Sequence, residues 1–190
     1  MIDETHNAIL CRYGEIALKG NNRGTFERAL VTGMKRVLSD IEDLRYIRER
    51  GRILLHRKNF TAFTAAHEDL IAEGLHRVFG LQSYSMGYMV ESNLEAIEKI
   101  VGDTLPRHYD QELQAGNGPV TYRMRARRAY KFFPLRSQEL EIHFADLLLP
   151  QYDNLKLDLD NAAISIGVEV RENWTFVHYG KVPGPGGLPV

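Results

Sequence analysis

Cysteine is almost absent from this chain of 190 residues, because Cys11 is its only one. A single thiol can form no intrachain disulfide and no cysteine-rich metal site. Cys11 also falls in a predicted strand. That position favours a partly buried structural thiol over a nucleophile, which would need an exposed, electropositive setting. The sequence therefore offers no candidate for thiol chemistry.

Long apolar runs and an excess of charge are missing as well. No stretch approaches the roughly 20 apolar residues of a membrane span, and the first ten residues lack the basic and then apolar pattern of a signal peptide. We therefore expect a cytoplasmic protein that does not contact a membrane. The formal net charge is only −1, so binding of a polyanion must depend on a local basic patch.

Recognisable catalytic and metal-binding motifs are also lacking. The seven histidines are scattered, and none forms an H-x-x-x-H or H-E-x-x-H pair. No G-x-S-x-G sequence marks a nucleophilic serine. We therefore predict no catalytic residue, no metal site and no cofactor-binding residue in this chain.

The elements predicted in the first half follow the order strand, helix, strand, strand, helix, strand. This is the split βαβ, or ferredoxin-like, arrangement of an α+β fold. The predicted elements are a strand from Ala8 to Arg12, a helix from Thr25 to Ser39, strands from Leu44 to Arg48 and from Arg52 to Arg57, a helix from Thr61 to Leu75 and a strand from Ser83 to Val90.

A second unit is predicted to begin near Ser92. Ser92 and Glu95 have the spacing of a capping box, and an apolar stripe at helical spacing follows them. The polar stretch from Arg107 to Gly118 is interpreted as a loop that could contain a single helical turn. The elements predicted after it are a strand from Val120, a helix capped by Ser137 and stopped by Pro150, a short extended piece from Leu155 to Leu159, and strands from Ile164 to Val170 and from Trp174 to Tyr179.

The most informative stretch is the strand that begins at Val120. Apolar residues at even positions up to Ala126 alternate with polar ones at odd positions, which is the period-two pattern of a strand with one buried face. From Pro119 to Gln138 there are six Arg or Lys and no Asp or Glu. Because like charges on one strand face repel each other, nearby acids or a ligand must compensate them.

This basic stretch predicts a surface that binds a polyanion, for which RNA is one candidate. Guanidinium groups pair with phosphates in a fork geometry, and aromatic rings stack on unpaired bases. The stretch also leads into the N-terminus of the Ser137 helix, whose free N–H groups favour an anion. The predicted RNA-binding residues are Arg123, Arg125, Arg127, Arg128, Lys131, Phe132 and Arg136.

Other interpretations of these residues stay open. Burial in the core is the expectation for Phe132, because aromatic rings are more often buried than available for stacking. The arginine face could also be an ordinary solvated strand face whose charges are paired with acids from elsewhere.

Two further segments are considered as possible sites of phosphate or RNA contact. Lys19 and Arg23 lie in a stretch of turn residues from Tyr13 to Gly24 and are secondary candidates for RNA contact, although solvated turn residues are the simpler interpretation. The last ten residues, from Lys181 to Val190, contain three Pro and three Gly. That composition is typical of a linker and does not match a phosphate-binding loop.

Three blocks of the sequence together resemble a known family. YGEIALKGNNRGTFE near the start, RRAYKFFPLRSQEL in the middle and VEVRENWTFVHYGKVPGPGGLPV at the end resemble, in order and spacing, the amino-terminal half of the tRNA 4-thiouridine synthetases. These are tRNA sulfurtransferases, also known as thiamine biosynthesis proteins.

The resemblance implies a ferredoxin-like domain over residues 1–90, an α/β THUMP domain over residues 91–181 and a linker over residues 182–190 that leads to a catalytic domain outside this chain. We expect two cores joined near Glu91, and no continuous sheet running from Ala8 to Tyr179.

The resemblance also implies a function. THUMP domains recognise RNA, and in this family the target is the acceptor 3′ end of tRNA, which is positioned for ATP-dependent sulfur transfer to a uridine. The family's S-G-G-x-D-S loop and catalytic cysteine have no counterpart here, so ATP and Mg²⁺ are expected for the other domain, and this chain alone is not expected to be an enzyme. The implied partners are tRNA and a sulfur-donating cysteine desulfurase, and a homodimer stays open.

Two alternatives remain at this point. The chain could be the THUMP module of another RNA-modifying enzyme, such as a methyltransferase or a pseudouridine synthase, or it could be a dimerisation or scaffold module that does not bind RNA. One position departs from the family, because an acidic residue usually precedes the lysine of the middle block, where this sequence has Tyr130.

Because the sequence contains no phosphate-binding loop, metal motif or candidate catalytic thiol, we predict that this chain neither binds ATP tightly nor thiolates tRNA. Isothermal titration with Mg-ATP is expected to give no binding in the micromolar range. Micromolar affinity would contradict this prediction.

Overall fold

A computed structural model describes residues 5–14, 23–49, 51–116 and 118–187. The chain divides into two compact units. Residues up to Gly87, together with those from Lys181 onward, form the first unit, and Tyr88–Gly180 form the second. The division falls close to the boundary that the sequence suggested after residue 90.

The first unit has the predicted ferredoxin-like arrangement. Its strands lie in the order β4-β1-β3-β2, and all neighbouring pairs are antiparallel. The elements are β1 (Ala8–Tyr13), α1 (Arg23–Val37), β2 (Leu44–Glu49), β3 (Arg52–Arg57), α2 (Ala65–Leu75) and β4 (Leu81–Val90).

The core of the first unit lies between its sheet and its two helices. Alternate residues of β1, among them Ile9 and Cys11, are fully buried in this core. Helix α1 contributes Leu30 and Met34, which are four residues apart and therefore lie on one face of the helix. The hydrophobic period of each element thus determines which face packs inward.

Strand β4 is shared by the two units, which the sequence analysis missed. Residues 81–87 pair with β1, whereas Tyr88–Val90 pair with a strand of the second unit, β8 (Thr175–His178). Strand pairing therefore runs in one path through β4, and the expectation of no continuous sheet is wrong. Each unit nevertheless has its own hydrophobic core, as expected.

The second unit is a mixed sheet with two helices. Within it β5 is parallel to both of its neighbours, β6 and β7, and β7 is antiparallel to β8. The elements that precede β8 are α3 (Leu94–Ala115), β5 (Val120–Arg128), α4 (Ser137–Leu148), β6 (Leu155–Leu157) and β7 (Ile164–Val170). Helices α3 and α4 share one core with the apolar residues of β5 and β7.

The polar stretch from Arg107 to Gly118 is mostly helix, so the predicted loop is wrong there. Helix α3 continues through Pro106 to Ala115, where Gly116 ends it with a positive φ of 73°. Pro106 removes one backbone hydrogen bond, but Leu105 is buried and Tyr109 packs against the core on the far side of the proline. The polar residues of this stretch therefore belong to the outer face of a long amphipathic helix.

Both predicted serine caps are displaced by one residue. The N-cap of α3 is Asn93, whose side-chain oxygen accepts a hydrogen bond from Ala96 N at 2.8 Å, while the Ser92 hydroxyl donates to the Arg171 carbonyl at 2.6 Å. Helix α4 has Arg136 at its N-cap position, and Ser137 is its first residue. Each serine hydroxyl instead forms a hydrogen bond with the backbone of another segment, Ser92 with Arg171 O and Ser137 with Arg128 N.

The tail that was expected to be a linker is hydrogen-bonded to the first unit. Val182–Pro183 form a short strand, β9, which pairs with Ser83 and Tyr84 of β4. Gly184 N then donates to Gln82 O at 2.9 Å, and Gly186 N donates to Leu81 O at 2.8 Å. Across the described parts of the chain, no helix is both long and apolar enough to cross a bilayer.

Gly184 is predicted to be required for this docking of the tail. A Cβ atom at this position would lie 2.3 Å from the Leu81 carbonyl oxygen, which is part of a backbone that cannot move aside easily. We expect Gly184→Ala to lower the free energy of unfolding by about 1–3 kcal/mol and to increase protease cleavage of the tail.

Gly180→Ala is the matched control, because a Cβ atom at Gly180 would meet no atom within 4 Å. Thermal unfolding and limited proteolysis of both variants test this prediction. Equal stability of the two variants would contradict it.

Candidate nucleic-acid interface

The basic strand has the two faces that its sequence predicts. Val120, Tyr122 and Met124 are buried on the helix side, while Arg125 and Arg127 are exposed on the other face. Arg123 lies on the same face as these two arginines and is half-buried. The strand therefore carries three guanidinium groups in a row on one side of the sheet.

Two of these guanidinium groups donate to backbone carbonyls. Arg123 Nη1 lies 3.1 Å from Leu159 O, and Arg125 Nη2 lies 3.0 Å from the same oxygen. Arg123 also donates from Nε to Ser165 Oγ at 3.1 Å. These acceptors are neutral, so the hydrogen bonds hold the guanidinium groups in position without neutralising their charge.

The shared carbonyl of Leu159 belongs to a turn formed by residues 158–161, two of which are aspartates. The Asp158 carboxylate accepts hydrogen bonds from Asn161 N at 2.9 Å and Asp160 N at 3.0 Å. These two bonds, with a smaller contribution from the nearby Arg123 charge, lower the pKa of Asp158. One carboxylate oxygen of Asp158 accepts both of these bonds, and the negative charge of Asp158 also acts on nearby Arg123.

No carboxylate oxygen within the described ranges lies at ion-pair distance from Arg123, Arg125, Arg127 or Arg128. Glu169 is the neighbour of Arg127 in the parallel pairing of β5 with β7. Its Oε2 lies 3.6 Å from Arg171 Nη2, however, which makes Arg171 its ion-pair partner. Among the described residues, therefore, no ion pair joins an acid to the arginine face.

The loop after β5 is anchored by one aromatic ring and exposes another. Arg128 Nη1 donates to Lys131 O at 2.8 Å and to Phe133 O at 3.4 Å, which folds the loop back on itself. Phe133 is 3% exposed and belongs to the core of the second unit, whereas Phe132 is 87% exposed. The expectation of a buried Phe132 is therefore wrong, because the neighbouring phenylalanine takes the core position.

The other predicted residues lie around this loop. Tyr130 packs against the core, and its ring centroid lies 5.9 Å from that of Phe132. Lys131 and Arg136 are exposed, and Arg136 N donates to the Glu139 carboxylate at 2.7 Å at the start of α4. Arg128, Lys131, Phe132 and Arg136 are thus grouped between the end of β5 and the beginning of α4.

The two secondary candidates belong to the first unit. Lys19 lies outside the described residues. Arg23 begins α1, and its Nε lies 2.7 Å from Glu27 Oε1, which also accepts from the Tyr13 hydroxyl. Burial opposes ionisation of Glu27, but the hydrogen bonds from Tyr13 and Arg23 outweigh it and lower the pKa of Glu27. The guanidinium of Arg23 thus has a local acidic partner, unlike the arginines of β5.

Residues 158–161 are the part of this surface that the sequence analysis missed. The sequence DLDN carries a signal for this turn, since an Asp side chain often accepts hydrogen bonds from backbone N–H groups two or three residues later. Nothing in the sequence indicated that the turn would lie beside β5, because that contact depends on the parallel pairing of β6 with β5.

Cys11 has the environment of a structural thiol. It is fully buried in the core of the first unit, and this burial raises its pKa to about 12, although the neighbouring Arg12 charge acts in the opposite direction. A search of the described residues finds no group of three or more His, Cys, Asp or Glu that could hold a metal ion.

Comparison with known proteins identifies both units. Residues 8–85 match the ThiI ferredoxin-like domain, and residues 91–178 match the THUMP domain. The chain is therefore an α+β protein with a ferredoxin-like domain of the ThiI type followed by a THUMP domain.

The similar proteins define the family more closely. A probable tRNA sulfurtransferase of Natranaerobius thermophilus is 33% identical over 187 residues, which cover 97% of this chain and 43% of that protein. The chain is thus a homologue of tRNA sulfurtransferases and spans less than half the length of the curated relatives it matches.

Two solved structures share the fold of this chain. PH1313 from Pyrococcus horikoshii Ot3 has a TM-score of 0.78 and 31% identity, covering 97% of this chain and 57% of that one. A 4-thiouridine synthetase–RNA complex with bound ATP has a TM-score of 0.74 and 30% identity, covering 97% of this chain and 44% of that one.

We predict that Cys11 does not react with a thiol reagent in the folded protein. At pH 8 a thiol with a pKa of about 12 is almost entirely protonated, and the thiolate is the reactive form. A colorimetric disulfide-exchange reagent should label no thiol in the native protein and one thiol in denaturant. Rapid labelling in the native state would contradict the burial of Cys11.

Proposed function

We propose that this chain binds tRNA through the exposed face of β5 and the loop that follows it. In this proposal it positions the acceptor 3′ end for ATP-dependent sulfur transfer to a uridine by a catalytic domain of a tRNA sulfurtransferase. The observations that carry the proposal are that Arg123 and Arg125 donate to a neutral backbone carbonyl and that, among the described residues, no ion pair joins a carboxylate to the three aligned arginines of this face.

The geometry of the surface suits an RNA strand. Guanidinium groups along a strand face can meet successive phosphates, and the loop that follows the strand leads into the N-terminus of α4. Phe132, which is 87% exposed, offers a ring on which an unpaired base can stack. Arg128, Lys131 and Arg136 extend the positive charge around this ring.

The comparisons support the choice of ligand. One similar structure is described as a complex of a 4-thiouridine synthetase with RNA, and the curated relatives are described as probable tRNA sulfurtransferases. The match of the first unit to the ThiI ferredoxin-like domain favours this family over a THUMP module of a methyltransferase or a pseudouridine synthase.

The sulfur-transfer chemistry is assigned to a part of the relatives that this chain does not span. In this proposal ATP and Mg²⁺ bind to that other part of the longer protein. For the longer protein the proposal includes a role linked to thiamine biosynthesis, a cytoplasmic location, a sulfur-donating cysteine desulfurase as a partner and assembly as a homodimer.

The proposal predicts how tRNA affinity depends on salt. Each phosphate contact that is lost should lower the slope of log K against log salt by about 0.7–0.9. We therefore expect Arg125→Ala, and the double variant Arg127→Ala with Lys131→Ala, to weaken binding and to flatten this slope. Affinity should fall alike for different tRNAs, because phosphate contacts position the RNA and do not read its sequence.

Lys99→Ala is the control for the loss of one positive charge. Lys99 lies on α3, in the helical layer that packs on the opposite face of the sheet, and it pairs with Asp103 at 2.6 Å. Its replacement should leave both affinity and slope near the wild-type values. If the β5 variants behave like Lys99→Ala while circular dichroism shows an intact fold, the arginine face is an ordinary solvated surface.

A further inference from the structure

Strand β5 lacks a strand partner along part of one edge. On one side it pairs with β7 from Tyr122 to Arg128, but on the other side β6 pairs only with residues 120–122. From residue 123 onward, the N–H groups on the β6 side of β5 must find other acceptors, since an unpaired backbone N–H group is unfavourable when water is excluded.

Side chains of α4 supply acceptors for two of these N–H groups. Glu141 Oε1 accepts from Ala126 N at 2.8 Å, and Ser137 Oγ accepts from Arg128 N at 3.1 Å. Ser137 and Glu141 are four residues apart and therefore lie on the same face of the helix. The two side chains bind alternate residues of β5, which matches the alternation of N–H directions along a strand.

These two bonds fix the backbone from which the cations project. Ala126 lies between Arg125 and Arg127, and Arg128 begins the loop that carries Lys131 and Phe132. Ala126 is half-buried, and so is Glu141, which makes the bond between them less open to competition from water than an exposed one.

Glu141 is nevertheless an acid next to a surface that is proposed to bind a polyanion. If only charge mattered, its removal should strengthen tRNA binding, because a nearby negative charge repels phosphate. If Glu141 instead holds the cations in position, its removal should weaken tRNA binding. The direction of the change in affinity therefore distinguishes the two roles.

We propose that Glu141 is a positioning residue for RNA binding, which holds Arg125, Arg127 and the following loop in register by accepting a hydrogen bond from Ala126 N. This inference rests on the proposed function of the β5 face. It assigns to an acidic side chain, on the helix behind the basic strand, a favourable effect on the affinity for tRNA.

The experiment compares Glu141→Ala with Glu141→Gln in tRNA binding at several salt concentrations. Glutamine keeps an oxygen that can accept from Ala126 N and removes the charge. We expect Glu141→Ala to weaken binding about three- to tenfold, which corresponds to the net effect of one lost hydrogen bond, and to flatten the salt slope. Glu141→Gln should bind tRNA as tightly as the wild type or more tightly.

Asp146→Ala is the matched control, because Asp146 is an exposed acid on the same helix and its removal changes the net charge by the same amount. This variant should bind tRNA at least as tightly as the wild type. If Glu141→Ala also binds at least as tightly as the wild type, or if Glu141→Gln is as weak as Glu141→Ala, the positioning role is wrong.

Amide hydrogen exchange keeps the proposal testable if Glu141→Ala does not fold. The Ala126 N–H should be protected in the wild type and in Glu141→Gln, although it lies on an edge without a strand partner. Exchange at the rate of an open loop in the wild type would overturn the inference. If Arg125→Ala loses tRNA affinity while Glu141→Ala gains it, the inference fails and the proposed function stands.

Discussion

Repulsion among the arginines of β5 is the constraint that the residues around this strand face must satisfy. Three guanidinium groups project from every second residue on one face of the strand. Like charges at this spacing destabilise a sheet unless other groups compensate them. Here the compensation is partial. The Leu159 carbonyl accepts from Arg123 and Arg125, and Ser165 accepts from Arg123. Because these acceptors are neutral, they hold the strand face in place without neutralising its positive charge.

The elements around β5 hold its backbone and its arginine side chains in place through hydrogen bonds. The Asp158 turn presents the carbonyl that two arginines share, and α4 supplies acceptors to the β5 edge that has no strand partner. The loop after β5 is closed by Arg128 and anchored by Phe133, which leaves Phe132 exposed. A preformed surface of this kind loses less conformational entropy on binding than a flexible basic tail.

Local patterns predicted much of this structure, and contacts between distant segments account for most of what was missed. The period of two in β5 predicted its buried and exposed faces correctly, since that period follows from strand geometry. The stretch from Arg107 to Gly118 was interpreted as a loop because it is polar, but packing of Leu105 and Tyr109 extends the helix. Phe132 and Phe133 are chemically identical, so composition could not show which of them enters the core. The turn at Asp158 was visible in sequence, but its place beside β5 depends on the pairing of β6 with β5.

Mapping of the tRNA footprint by nuclear magnetic resonance tests the central claim most directly. Backbone amide signals and arginine Nε–H signals would be followed in the intact chain as tRNA is added at moderate salt. The account predicts that the largest changes fall on the odd residues from Arg123 to Arg127 and on the loop from Arg128 to Arg136. Changes confined to α1 and α2 of the first unit, with the β5 arginine signals unaltered, would contradict it.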